Sequence, residues 1–131
     1  VELARVFPDL RIVHMIRDGR DVARSFPRLG WLPSRRAALH MWFEHVGIAR
    51  RAGASLGPDR YREILFEDLT RDPDRVLREI LEFLGLPWLP EMDAHAVRAE
   101  VARRERESDP ELDALFLALA GDLVEEFGWT R

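Results

Sequence analysis

Not one lysine occurs among the 20 basic residues of this 131-residue chain; every one is arginine. Arginine keeps its proton at any pH a protein meets, so ammonium acids, Schiff-base amines and lysine phosphate clamps are excluded. Cysteine is absent as well, which rules out disulfides, thiolate nucleophiles and cysteine-based zinc sites. No apolar run approaches the roughly 18–20 residues that span a bilayer, and no secretory signal pattern opens the chain. The expectation is a cytoplasmic protein that engages no membrane. The chain starts at Val1, in what reads as the end of a helix, and is expected to be a fragment.

What is present fits a globular protein: 47% hydrophobic and 34% charged residues argue against wholesale disorder. The length suits a single domain, residues 1–131, with one core. A net charge of −4 argues against a general nucleic-acid binder. Between Arg17 and Arg36, however, six arginines (17, 20, 24, 28, 35 and 36) face only Asp18 and Asp21, a local balance of +4. Such a patch could receive a small polyanion, or could simply be solvated helix surface.

Residues 11–17 (RIVHMIR), bounded by Pro8-Asp9 and Asp18-Gly19, read as a buried and parallel strand. Asp18 or Gly19 then caps a helix to about Phe26, and Pro27 and Pro33 bracket a loop with Gly30 and Trp31. A longer helix from Ser34 to about Ala52 carries Leu39, Trp42, Phe43, Val46 and Ala49 on one face. Gly53, Gly57 and Pro58 mark a break before a second strand, 61–66. Asp72-Pro73 caps a helix that buries Val76, Leu77, Ile80, Leu81 and Leu84 and stops at Gly85. A polar stretch, 92–107, precedes a last amphipathic helix with Leu112, Leu115, Phe116, Leu119, Leu123 and Phe127. The order predicts an α/β fold with two or three parallel strands flanked by helices. That is thin for a doubly wound sheet, and further strands are expected upstream.

The segment that carries chemistry is IRDGRDVARS, at the C-terminal end of the first strand. Ligands of open α/β sheets sit at this edge. Arg17 offers a fork of donors suited to phosphate, Ser25 adds a hydroxyl eight residues on, and the helix start between them supplies N–H groups and positive dipole. Alternatively, Arg17 pairs with Asp18 or Asp21, and Ser25 bonds back within its helix.

The run strand–Arg-Asp-Gly-Arg-Asp-Val-x-x-Ser resembles the 3′-phosphate-binding motif of sulfotransferases that use 3′-phosphoadenosine 5′-phosphosulfate (PAPS). FPDLRIVHMIRDGRDV is similar to the bacterial and tyrosylprotein-type members, and Trp42-Phe43-Glu44-His45-Val46 resembles their next helix. ILFEDLTRDPDRVLREILEFLGLPW and the closing DLVEEFGW extend the likeness over nearly the whole chain. The resemblance implies a partial P-loop-like α/β sulfotransferase domain that binds PAPS and moves its sulfuryl group to a hydroxyl or amine acceptor. Arg17 and Ser25 map onto the residues that hold the 3′-phosphate. Phe66 stands where many members have an adenine-contacting tyrosine. The family's 5′-phosphosulfate loop, with its lysine, and its usual base lie upstream of this region, so no catalytic residue and no metal ligand is expected here. This chain alone is expected to be inactive. The late phosphate-closing loop of cytosolic members has no counterpart, although Arg98, Arg103 or Arg104 could substitute.

Other candidates carry less. His14, within the strand, reads as a packed histidine rather than a base. His40 and Glu44 are four apart on a helix but lack a third metal ligand. Glu67-Asp68 reads as an anchor of the strand-to-helix turn or a partner for a nearby arginine, and Trp31, Trp42, Trp88 and Trp129 read as packing residues. A nucleotide kinase on the same architecture, or a non-catalytic α/β module that binds an anionic partner, stays open on the residues alone.

Overall fold

The computed structural model describes residues 2–89, 92 and 108–129. Their order is α1 (Glu2–Val6), β1 (Ile12–Ile16), α2 (Gly19–Arg28), α3 (Arg35–Ala54), β2 (Tyr61–Leu65), α4 (Phe66–Arg71), α5 (Pro73–Leu84) and α6 (Pro110–Phe127). Close contacts group the chain into two compact units. One draws on residues 1–16 and 49–105, the other on 17–48 and 106–131.

In the first unit β1 and β2 pair in parallel, with Ile12 opposite Tyr61, His14 opposite Glu63 and Ile16 opposite Leu65. The expected strand is therefore present and parallel, but only Ile16 of it is buried, with Ile12, Val13 and His14 half-buried and Met15 exposed; Ile64 of β2 is buried as well. Asp72 caps α5 by accepting from the Arg75 N–H, and Pro73 fills the first helical position, where a missing N–H costs nothing. Gly85 ends the helix at φ 72°. The Gly85 and Leu86 N–H groups return to the carbonyls of Glu82 and Leu81, a closure that needs the left-handed conformation glycine adopts without strain.

Two expectations shift here. The second strand ends at Leu65, and Phe66 opens the six-residue helix α4. Glu67 and Asp68 fall in its first turn, where negative charge suits the helix dipole, and Asp68 also accepts from Arg71 at 3.1 Å. Gly53 lies inside α3 rather than in the break after it. The Tyr61 ring packs so closely on Gly53 that an added Cβ would overlap it.

In the second unit α2 extends through Pro27 to Arg28, two residues past the expected end. A proline this close to a helix terminus removes a single N–H bond, and the last turn is closed by the Leu29 N–H on the carbonyls of Ser25 and Phe26. The buried apolar residues described here include Ala23, Ala38, Leu39, Trp42 and Val46, with Leu112, Phe116, Ala120, Val124 and Trp129 from the C-terminal segment. Asp109-Pro110 caps α6 as Asp72-Pro73 caps α5. The last helix bends at Ala120, whose φ of −133° and ψ of 27° leave the helical region. Trp42 and Trp129 pack as expected, but Trp31 is 66% exposed and touches Phe26 only edge-on.

Candidate functional site

The segment 17–25 belongs wholly to the second unit and is built from its own sequence first. Asp18 takes φ −48° and ψ 122°, turning the chain from strand into helix, and its Oδ1 accepts from the Arg20 N–H at 2.9 Å. Its carbonyl accepts the first helical bonds, from Asp21 and Val22. The helix start that the phosphate reading requires is thus capped by Asp18.

Arg17 follows the last residue of β1 and precedes this cap. Its Nη2 donates to Asp21 Oδ2 at 3.1 Å, and about a third of its side chain remains exposed. Of the two pairings open in the sequence, Asp21 is the partner observed. Asp21 also faces Arg24, whose Nη1 lies 3.7 Å from its Oδ1. At the backbone, the Trp42 indole N–H donates to the Arg17 carbonyl at 3.0 Å. Ser25 is partly buried in the second turn of α2.

Arg20 has a different fate. It is buried, donates to Asp18, to Asp113 at 3.3 Å and to the Trp129 carbonyl at 3.0 Å, and lies 4.9 Å over the Phe116 ring. These bonds, the one to Asp18 foremost, hold its proton even more firmly than usual. Arg20 is a structural latch. Arg35 likewise donates to Asp109 at 2.6 Å. Asp109 is held below the usual carboxylate range first by the Leu112 N–H and then by Arg35. A cleft of about 310 Å³ beside them is lined by Arg35 and Arg36 but also by Asp109 and Glu111. Two of the six arginines in the sequence window are therefore met by acids from the C-terminal segment, Arg20 by Asp113 and Arg35 by Asp109.

In the first unit Phe66 is the first residue of α4 and is partly buried. His14 Nδ1 lies 2.6 Å from the Tyr61 hydroxyl. That hydroxyl donates to Glu63, which also accepts from Arg50 at 3.0 Å. Burial, the largest cause, lowers the His14 pKa, and burial together with Glu63 raises that of Tyr61. His14 is thus a tied, packed residue. His40 and Glu44 are exposed on α3, and among the described residues no group of three His, Cys, Asp or Glu is placed to hold a metal ion. No described helix is long and apolar enough to cross a membrane. Arg98, Arg103 and Arg104 lie outside the described residues.

Sequence reasoning missed the bond from Trp42 to Arg17, since an indole read as packing gives no sign of its N–H partner. It also missed the Asp109-Pro110 cap, which the same Asp-Pro signature would have found.

With this geometry in hand, the relatives are informative. A family model described as the sulfotransferase family matches residues 1–90. The chain belongs to the sulfotransferase family. It is 34% identical over 139 residues to mouse carbohydrate sulfotransferase 5, covering 86% of this chain and 35% of that protein. It is 29% identical over 89 residues to the protein-tyrosine sulfotransferase of Drosophila melanogaster, covering 63% of this chain and 18% of that one. The chain thus spans about a third or less of these curated relatives. Among solved structures, the sulfotransferase domain of the Synechococcus PCC 7002 olefin synthase superposes with a TM-score of 0.66 at 23% identity, over 92% of this chain and 50% of that one. A mouse sulfotransferase complexed with PAP gives 0.61 at 17% identity, over 98% and 66%. The sulfotransferase fold and the α/β class follow.

Proposed function

We propose that this chain is part of an enzyme that takes the sulfuryl group of PAPS and delivers it to a hydroxyl or amine acceptor, and that it supplies the hold on the donor's 3′-phosphate. The observation that carries the reading is Arg17: a guanidinium at the C-terminal end of β1, partly exposed, anchored at its tip by Asp21 and at its carbonyl by Trp42. A guanidinium has five N–H donors in a rigid fork, so it can take phosphate oxygens while Asp21 accepts from Nη2. The mouse relative complexed with PAP lends support.

PAPS, when bound, supplies the sulfuryl group and an anionic nucleotide as leaving group. The residues of this chain bind and orient. Arg17 would neutralise and aim the 3′-phosphate, Ser25 would add a neutral hydroxyl bond, and Phe66 would offer a ring to the base. Their contribution to rate comes through position, since a reactant held in line loses less freedom on the way to the transition state.

Titration calorimetry on the intact protein tests this, with adenosine 3′,5′-bisphosphate (PAP) against adenosine 5′-monophosphate. Arg17→Ala should weaken the bisphosphate alone, by on the order of 10- to 150-fold for a charge-assisted contact of roughly 1.5–3 kcal/mol. Ser25→Ala should do the same by only about fivefold, the effect of about 1 kcal/mol. Phe66→Tyr should leave the discrimination unchanged. Equal losses for both nucleotides on Arg17→Ala would assign Arg17 to the fold and sink the reading.

A further inference from the structure

The Arg17 carbonyl occupies an awkward place in the backbone. The strand ladder ends one residue earlier, at Ile16 opposite Leu65, and the helical bonds begin one residue later, at the Asp18 carbonyl. The Trp42 indole N–H donates to this carbonyl at 3.0 Å. We infer that Trp42 is a positioning residue for Arg17, setting the peptide from which the phosphate-binding side chain projects.

Three further observations bear on this. Trp42 is itself immobilised: it is buried, and its ring centroid lies 5.5 Å from that of Phe116 and 6.0 Å from that of Trp129. The same indole closes on Gly19, where an added Cβ would stand 2.7 Å from Trp42 Cε3, so one ring touches the chain on both sides of Asp18. Asp18 is locked in turn by its paired bonds to Arg20. Because the peptide unit is planar and rigid, fixing the Arg17 carbonyl also fixes the Asp18 N–H and the ψ angle of Arg17. With Asp21 holding the guanidinium end, the arginine is ordered at both ends before any ligand arrives, and it loses less conformational freedom on binding. A side chain that only filled space would need the indole's shape but not its N–H.

This inference rests on the phosphate-binding reading of Arg17, and the experiment separates the two. In the intact protein Trp42 is replaced by benzothienylalanine, which keeps the fused rings and puts sulfur where the N–H was. PAP and adenosine 5′-monophosphate are then titrated calorimetrically. The preference for the bisphosphate should fall about three- to tenfold, as expected for loss of one neutral hydrogen bond behind the binding group, with affinity for the monophosphate unchanged. An unchanged preference, in a protein whose preference Arg17→Ala abolishes, would overturn the role of Trp42 and leave the phosphate reading standing. Absence of any preference in the unsubstituted protein would overturn both. A measurement without substitution guards against a variant that does not fold: exchange of the Trp42 indole proton with solvent should slow on adding PAP but not the monophosphate. Equal slowing by both overturns the inference.

Discussion

Both carboxylate oxygens of Asp18 accept from the Arg20 guanidinium, Oδ1 from Nε at 3.0 Å and Oδ2 from Nη2 at 2.7 Å. Asp18 is fully buried and also caps α2, so the second arginine of the motif secures the turn from which the first projects. Burying two charges is costly, and the pair endures because each remaining polar atom has work: Asp18 accepts from the Arg20 N–H, and Arg20 reaches Asp113 and the Trp129 carbonyl.

Removing one member of that pair should therefore cost far more than the pair itself contributes. Arg20→Ala strands a buried carboxylate and is expected to destabilise the intact protein by about 3–5 kcal/mol. Arg20→Lys keeps the charge without the fork and should recover only part of this. Urea unfolding of the two variants measures both effects. A loss under about 1 kcal/mol for Arg20→Ala would place Arg20 among ordinary surface arginines.

Gly19 gives a prediction opposite to the helix scale. Alanine is ordinarily better than glycine in a helix by about 1 kcal/mol. At position 19 its Cβ would stand 2.7 and 2.8 Å from Trp42 ring carbons and 2.9 Å from a Phe116 ring carbon, and fused or packed rings have little room to yield. Gly19→Ala should destabilise by roughly 1–3 kcal/mol through overpacking. Thermal melting decides it: a raised Tm would show that the rings do move.

The pH response of the first unit should centre on His14. Tyr61 and Glu63 from β2 and Arg50 from α3 face it, and burial outweighs the Glu63 charge in lowering its pKa below the ordinary 6.5. The unfolded chain then binds the proton more readily than the folded one. The stabilisation is complete above about pH 6.5 and is lost as pH falls from there toward the lowered folded value. His14→Gln should flatten the dependence of unfolding free energy on pH between 7 and 5. The same slope in that variant would assign the acid sensitivity to other groups.

The sequence alone determined the local structure where local physics is decisive. Asp72-Pro73 and Gly85 bound α5 because an N-cap oxygen, a proline without an N–H and a left-handed glycine each answer a need of the helix end itself. The apolar run from Ile12 to Ile16 marked a strand for the same kind of reason, and the residues that follow it placed the motif at its C-terminal end. Phe66 and Pro27 were misjudged by a residue or two, because strand and helix ends there depend on the neighbouring turn. Which partners the arginines of this region take was another matter. Arg20 and Arg35 pair with Asp113 and Asp109, 93 and 74 residues away, and Trp42 reaches the Arg17 carbonyl from 25 residues away. Charge balance and hydrogen-bond pairing act over ångströms in space and are blind to separation along the chain, so only the tertiary structure could settle them.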